Sequence, residues 1–327
     1  MSAMKKTWRE KALWGTIYAA TFIVVFLTSA WAKLFWRPGG DRFAVDWNES
    51  VGTVVADLSY GKENANKFDL YLPADSSRET YGLVVYLHGG GFTGGDKRDD
   101  DKILKWLCSL GYVAAGVNYT LASETRPGVN VYTQSIEIRD SIARIVEESA
   151  RFGRPIKEMS FGGGSAGGCL ALLCAYRDGK DLPVPVKAVF EAVGPSCFYP
   201  EDWRCYGCDK NPNLAAAMFG YMLGERIDPE TFGTEAYEEQ IKKISALSWI
   251  DSSSPPTLCA YGVYDKIQPY AASRRLVAAL KKNGVPFDDI VFEHSGHGLQ
   301  NDSSQGALYA RKIVEYLDRY MPLEPRL

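Results

Sequence analysis

Met159-Ser160-Phe161-Gly162-Gly163-Gly164-Ser165-Ala166-Gly167-Gly168 joins a short β-forming run to an apolar helical run through a turn made almost wholly of glycine. Its centre, Gly163-Gly164-Ser165-Ala166-Gly167, has the form G-x-S-x-G. Only small flanking residues let a chain reverse so tightly, and the strained turn lifts the serine hydroxyl clear of the sheet. The helix read over 166–176 begins at the same place, so its free N–H groups and dipole favour negative charge beside the hydroxyl. A glycine turn that only packs strand against helix has the same look. The reading therefore depends on what else the chain brings to this edge.

Outward from the turn, β-like and helix-like runs alternate. Strands are expected at 53–58, 67–72, 83–87, 112–117, 159–163, 186–193, 257–263 and 289–293. Helical spacing covers 102–110, 131–152, 166–176, 271–282 and 307–320. Short continuous apolar strands alternating with helices predict an α/β fold, a mostly parallel central sheet covered on both faces. Ser196 to Ile250 lacks a clear strand, and reads as a small helical cap inserted above the sheet edge. The expected organisation is an N-terminal apolar segment over 1–40 and one domain over 41–327, with the cap at about 196–250.

A second glycine loop, His88-Gly89-Gly90-Gly91-Phe92, follows the strand at 83–87. Glycines let backbone N–H groups approach a ligand closely. Acyl transfer needs such donors, because its tetrahedral intermediate carries an oxyanion. Phosphate cradling lacks both the Gly-Lys-Ser/Thr ending and a G-x-G-x-x-G at the first strand. A reacting serine needs a base, and the chain has three histidines. His297 lies between glycines in His294-Ser295-Gly296-His297-Gly298, a loop able to reach across the sheet edge. His294 competes from the strand end, and His88 is placed to orient its own loop. Asp265 follows the strand at 257–263, at the carboxyl edge where open α/β sheets put their sites. Asp251 and Asp288 are alternatives, one before Pro255-Pro256 and one at a strand start. The order Ser165, Asp265, His297 is that of an α/β-hydrolase.

These segments resemble the α/β-hydrolase superfamily, and within it the hormone-sensitive-lipase-like carboxylesterases and bacterial feruloyl-esterase-like relatives. The resemblance rests on His88–Phe92, Gly163–Gly168, Val117-Asn118-Tyr119-Thr120-Leu121-Ala122 and Ser254 to Asp265, and covers about residues 50–322. It implies Ser165 as nucleophile, Asp265 as acid and His297 as base. It also implies an oxyanion hole from the N–H groups of Gly90, Gly91 and Ala166. Two departures stand out: Tyr261 and Cys169, where such relatives often have histidine. The implied activity is hydrolysis of small or medium carboxylic esters through a covalent acyl-enzyme, with no cofactor and no metal. A serine peptidase would need an amine site, for which Glu201, Asp202 and Glu225 are candidates. A catalytically inactive binding protein is the non-enzyme alternative. Pocket candidates are Phe92 and the cap residues Trp203, Met218, Phe219 and Met222.

The formal charge of −3 gives no basic field to gather nucleic acid. The uncharged run from Ala12 to Ala32 would form a helix about 31 Å long at ~1.5 Å per residue. Lys5, Lys6, Arg9 and Lys11 precede it, and aromatic residues stand near both ends. The expectation is a membrane anchor with the hydrolase domain outside the cytoplasm. The alternatives are secretion after signal cleavage near Ala30-Trp31-Ala32, or an apolar helix over the mouth of the domain. Seven cysteines are present. Cys197, Cys205 and Cys208 cluster in the cap, where a local disulfide or simple packing are both open. Oligomeric state is not legible.

Overall fold

Residues 42–325 are described by a computed structural model of the chain. The chain divides into two units, Met1–Arg42 and Phe43–Leu327, and the fold that follows is that of the second. The strands are β1 (Gly52–Ser59), β2 (Lys67–Pro73), β3 (Tyr81–Leu87), β4 (Val113–Val117), β5 (Ile156–Gly164), β6 (Val186–Ala192), β7 (Thr257–Gly262) and β8 (Phe287–Phe292). They form one sheet in the order β1-β2-β4-β3-β5-β6-β7-β8. The two pairings that involve β2 are antiparallel, and every pairing from β4 through β8 is parallel. This is the α/β-hydrolase architecture with a helical cap.

Seven α-helices accompany the described strands: α1 (Asp101–Ser109), α2 (Val131–Arg151), α3 (Ala166–Leu173), α4 (Pro212–Leu223), α5 (Glu235–Ile241), α6 (Tyr270–Lys282) and α7 (Ser303–Tyr320). Helices α1, α2, α6 and α7 are amphipathic and face the sheet, and α3 is buried along its whole length. On one side, Leu104 and Leu107 of α1 and Ile313 and Leu317 of α7 pack with Val84, Ala114, Phe190 and Leu258. On the other, Ile138 and Ile142 of α2, Leu170 of α3 and Leu276 of α6 pack with Leu83, Val85, Phe161 and Val189. Side chains alternate along a strand, so a sheet covered twice needs apolar residues at both parities. That is why β3, β4 and β7 read as continuous apolar runs. The helix after Ser165 ends as an α-helix at Leu173 and continues as a wider π turn over Cys174–Asp178.

The cap chain leaves β6 and returns to β7 through α4, α5 and short 3-10 turns. Its interior is aromatic. Phe198, Trp203 and Phe219 are mutually packed with ring centroids 5.6–5.8 Å apart, and Phe232 and Tyr237 extend the cluster.

The uncharged run at 12–32 lies outside the described residues. Among the described residues, no helix is long and apolar enough to cross a membrane. The longest, α2, carries Glu137, Arg139, Asp140, Arg144 and Glu147 among its less buried residues, and Glu148 is buried. The expectations of membrane association through residues 12–32, of a transmembrane or signal helix, and of a hydrolase domain anchored to the membrane are therefore corrected. The described fold supplies no span on which they can rest.

One buried ion cluster ties the second glycine loop to the sheet. The Lys97 ammonium is 2.7 Å from Asp57 Oδ1 and 3.2 Å from Asp69 Oδ1, with the lysine and Asp69 both buried. Asp57 sits at a β1 bulge with φ 57°. The Lys97 N–H donates to Asn118 Oδ1, and Asn118 Nδ2 donates to Asp96 Oδ2. Removing one partner of a buried pair leaves the other charge uncompensated. Lys97→Ala is expected to destabilise the fold by about 3–5 kcal/mol, because it strands Asp69. Asp57→Ala, which removes a half-exposed partner, should cost far less. Urea melts of the two variants check the order.

Candidate active site

Ser165 ends β5 and begins α3. It has φ 55° and ψ −122°, a conformation that L residues rarely adopt. Backbone strain of this kind persists only where surroundings over-determine it. Here they do. The Ser165 N–H donates to the Ala192 carbonyl at the end of β6 (2.8 Å). Two residues further on, a Cβ built at Gly167 would lie 1.9 Å from the Leu87 carbonyl oxygen. The end of β3 thus presses directly on the first turn of α3, and no side chain fits between them.

The same contact brings the loop after β3 beside the serine. A Cβ at Gly89 would be 3.2 Å from the Gly164 oxygen and 3.5 Å from Ser165 Cβ. Gly90 has φ 115° and Gly91 φ 60°. Thr93 and Gly94 both donate to the Gly90 carbonyl, which closes the loop on itself. The Gly90 and Gly91 N–H groups donate to no other backbone group among the described residues. Ala166, first in α3, has no intrahelical acceptor for its N–H.

His297 Nε2 is 2.8 Å from Ser165 Oγ, and its Nδ1 is 2.8 Å from Asp265 Oδ2. Asp265 is buried, and its Oδ1 accepts the N–H groups of Ile267 (2.8 Å) and Gln268 (2.9 Å). A carboxylate held that way accepts from Nδ1–H. This leaves the Nε2 lone pair toward the serine hydroxyl. The loop bearing His297 packs on the end of β7, where a Cβ at Gly262 would be 2.5 Å from the Gly296 oxygen.

The other candidates lie elsewhere. The His294 side chain is 75% exposed, and its Nδ1 pairs with Asp302 Oδ1 at 2.8 Å, which raises its pKa. Asp251 accepts from the Ser253 N–H and hydroxyl and pairs with Lys180. These contacts hold its carboxyl at about 2. Asp288 is the second residue of β8 and pairs with Lys312. His88 is buried. Its Nδ1 donates to the Gly89 carbonyl (2.7 Å), its ring stacks on Tyr119 at 4.3 Å, and burial lowers its pKa, so it stays neutral. Tyr119 in turn donates to the His88 carbonyl (2.9 Å).

Of the pocket candidates, Phe92 is buried with φ 68°, its carbonyl held by Ala122 N–H and Gln134 Nε2. Trp203 and Phe219 are buried in the cap's own aromatic cluster, while Met218 and Met222 are partly buried at its edge. All seven cysteines are free thiols, including Cys197, Cys205 and Cys208. Among the described residues, no three His, Cys, Asp or Glu side chains gather as a metal ion would need.

Asp302 escaped the sequence reading. It accepts from the His294 N–H (3.0 Å) and the Ser295 hydroxyl (2.5 Å) and so pins the His297 loop from behind. No local pattern marks it, since its partners are seven and eight residues away.

Residues 68–280 match the BD-FAE family. An acetyl esterase of Salmonella typhi is 33% identical over 108 residues, 32% of this chain and 31% of that protein. A kynurenine formamidase of Danio rerio is 27% identical over 147 residues, 44% and 47% of the two chains. The chain thus spans about a third to a half of the length of these curated relatives. Among solved structures, an inhibited esterase B of Lactobacillus rhamnosis superposes with TM-score 0.63 at 19% identity, covering 92% of this chain and 96% of that one. The esterase Est2 of Thermogutta terrifontis does so with TM-score 0.63 at 20% identity, covering 85% and 95%. At these identities the two structures speak for the fold alone.

The contact at Gly167 yields a comparison. Gly167→Ala is expected to displace the serine turn and abolish activity, since its Cβ meets backbone rather than a movable side chain. Gly91→Ala has open space around it and should lose only the left-handed backbone penalty, about 1–2 kcal/mol of stability. Thermal melts of both variants, with activity, check the contrast.

Proposed function

Because the chain belongs to the BD-FAE family, we propose that it is a serine esterase that cleaves small or medium carboxylic esters through an acyl-enzyme. The observation that carries this reading is one imidazole standing 2.8 Å from both a serine hydroxyl and a buried carboxylate, beside a glycine loop. An acetyl esterase among the relatives supports an ester substrate.

In the proposed cycle, His297 Nε2 takes the Ser165 proton as Oγ attacks the ester carbonyl. Asp265 keeps the proton on Nδ1 and stabilises the imidazolium. The carbonyl oxygen becomes an oxyanion and takes hydrogen bonds from the N–H groups of Gly90, Gly91 and Ala166, aided by the positive end of α3. His297 then gives its proton to the departing alkoxide, and the alcohol leaves. Water enters, loses a proton to the same nitrogen and attacks the acyl carbon. The acid is released and Ser165 regains its proton. His88 acts on this cycle through the loop: neutral and stacked on Tyr119, it fixes the carbonyl of Gly89 and so the direction of the next two N–H groups.

The carboxylates considered for an amine site are engaged with cations. Glu201 and Asp202 pair with Arg275, and Glu225 pairs with Lys243. The formamidase among the relatives makes amides a necessary arm of a substrate screen. Selection among esters is assigned to the cap edge, where Met218 and Met222 lie one helical turn apart on α4 and offer an adaptable apolar wall.

Ser165→Ala and His297→Ala should each lower kcat for p-nitrophenyl esters by about 10⁴-fold or more, and the double variant should lose little beyond either one. Near-normal turnover by His297→Ala would overturn the assignment. Met218→Ala should shift the acyl-length profile of kcat/KM by about 1–3 kcal/mol per methylene discriminated. An unchanged profile would place Met218 in packing only.

A further inference from the structure

Behind the serine turn lies a carboxyl group that the cycle above does not use. Glu191, on β6, is fully buried. Its Oε2 accepts the Gly194 N–H at 2.8 Å, and its Oε1 has no hydrogen-bond partner. Tyr261, on the neighbouring strand β7, donates its hydroxyl proton to the carbonyl of the same Gly194 at 2.9 Å. With that proton committed to Gly194, the Tyr261 hydroxyl is not free to neutralise a charge on Oε1. No cation answers a charge there. The groups facing Glu191 are Cys259 and Tyr261 on β7, Cys169 and Tyr176 in and after α3, Tyr86 on β3, Tyr309 on α7 and Asp289 on β8. Of these only Asp289 is an acid, and it is taken up by Arg274.

We propose that Glu191 works as a neutral carboxylic acid and is a positioning residue: with Tyr261 and Gly194 it clamps the end of β6 onto the turn that carries Ser165. The geometry of that junction is tight. A Cβ at Gly168 would be 3.0 Å from Gly194 Cα and 3.2 Å from Glu191 Oε2. A Cβ at Gly194 would be 2.7 Å from the Gly168 carbonyl carbon and 2.8 Å from the Cys169 nitrogen. Between the two ends of the clamp, Val193 has φ 52°, and Ala192 accepts the Ser165 N–H. The residue that holds the strained serine at its amide is thus itself held by Glu191. The clamp also accounts for Tyr261, where the resemblance led one to expect histidine: the phenol donates to the carbonyl of the same Gly194 whose N–H Glu191 accepts. Loss of the proton to hydroxide would put a negative charge against the first turn of α3, the same place where the oxyanion must form.

The inference deepens the esterase reading, and its two tests separate from that reading. The first needs no activity. Burial raises the Glu191 carboxyl to about 8, against about 4.3 for an unfolded glutamate. Between those values the folded chain holds one proton more than the unfolded chain, so this group's contribution to stability falls as pH rises through the window and is level beyond it. Glu191→Gln keeps one acceptor and one donor and cannot ionise. Its Tm should therefore gain on the wild type steadily from about pH 4 to about pH 8 and then hold constant. A Tm difference that ignores pH overturns the proposal. So does a Gln variant that fails to fold, because the amide reproduces the acid and only a carboxylate would miss its charge.

The second test reads Ser165 directly, through the rate of labelling by a fluorophosphonate. Glu191→Ala should slow labelling by about tenfold to a hundredfold at neutral pH, and Glu191→Gln should recover most of it. The wild type should lose rate above about pH 8, while the Gln variant keeps it. Equal rates in Ala and Gln variants would reduce Glu191 to packing. A wild type that takes no label at all would defeat the serine-hydrolase reading, while the melts would still decide the state of Glu191.

Discussion

Everything at this site depends on a contact that excludes a single methyl group. The carbonyl of Leu87, the last residue of β3, presses on the α-carbon of Gly167 in the first turn of α3. Because nothing separates them, the loop leaving β3 and the turn leaving β5 share one small volume. That nearness sets the glycine loop, at Gly89, beside Ser165 without any side chain reaching for the purpose. It also explains the glycines two residues either side of the serine, for a Cβ at Gly163 would be 2.5 Å from the Gly167 carbonyl. The strain stored at Ser165 is held by ladder hydrogen bonds and packing around it, which is where a fold can bear a local cost.

Electrostatics complete what packing begins. In the proposed cycle negative charge develops on one carbonyl oxygen, and the surroundings suit that charge. The α3 N-terminus and the loop N–H groups are the donors assigned to it. The carboxylate of Asp265 is kept on the far side of the imidazole, satisfied by two backbone N–H groups of its own. Burial lowers the His88 pKa, and the buried acid near the turn, Glu191, is held protonated by its burial with no cation beside it. Charges that would compete with the oxyanion are either paired at a distance or discharged. The ion cluster around Lys97 serves the same site from outside, by fastening the far end of the glycine loop to β1, β2 and the chain after β4.

Most of the sheet was legible because burial on both faces leaves continuous apolar runs, and glycine and proline mark their ends. Ser165, Asp265 and His297 were legible for a related reason: each stands just beyond a strand, in a loop rich in small residues. What the sequence could not show was held by partners far apart in the chain. The β1 bulge at Asp57 answers a lysine forty residues away. Glu191 looked like one more strand residue until Tyr261 and Gly194 were brought to it. Strand β8 begins at Phe287, ahead of the expected Asp289, because Phe287 and Asp288 pair with Thr257 and Leu258 of β7. In the cap, spacing revealed an apolar face on α4, but only packing shows that Phe219 turns inward to Trp203 while Met218 stays at the edge.

The account stands or falls on a covalent bond to one oxygen. Rapid quenching during turnover of a slowly deacylated aryl ester, followed by proteolysis and mass mapping, measures it directly. The prediction is an acyl group on the peptide containing Ser165, appearing within the first turnover and absent from Ser165→Ala. Turnover with that peptide unmodified, or with the acyl group on another residue, would contradict the account.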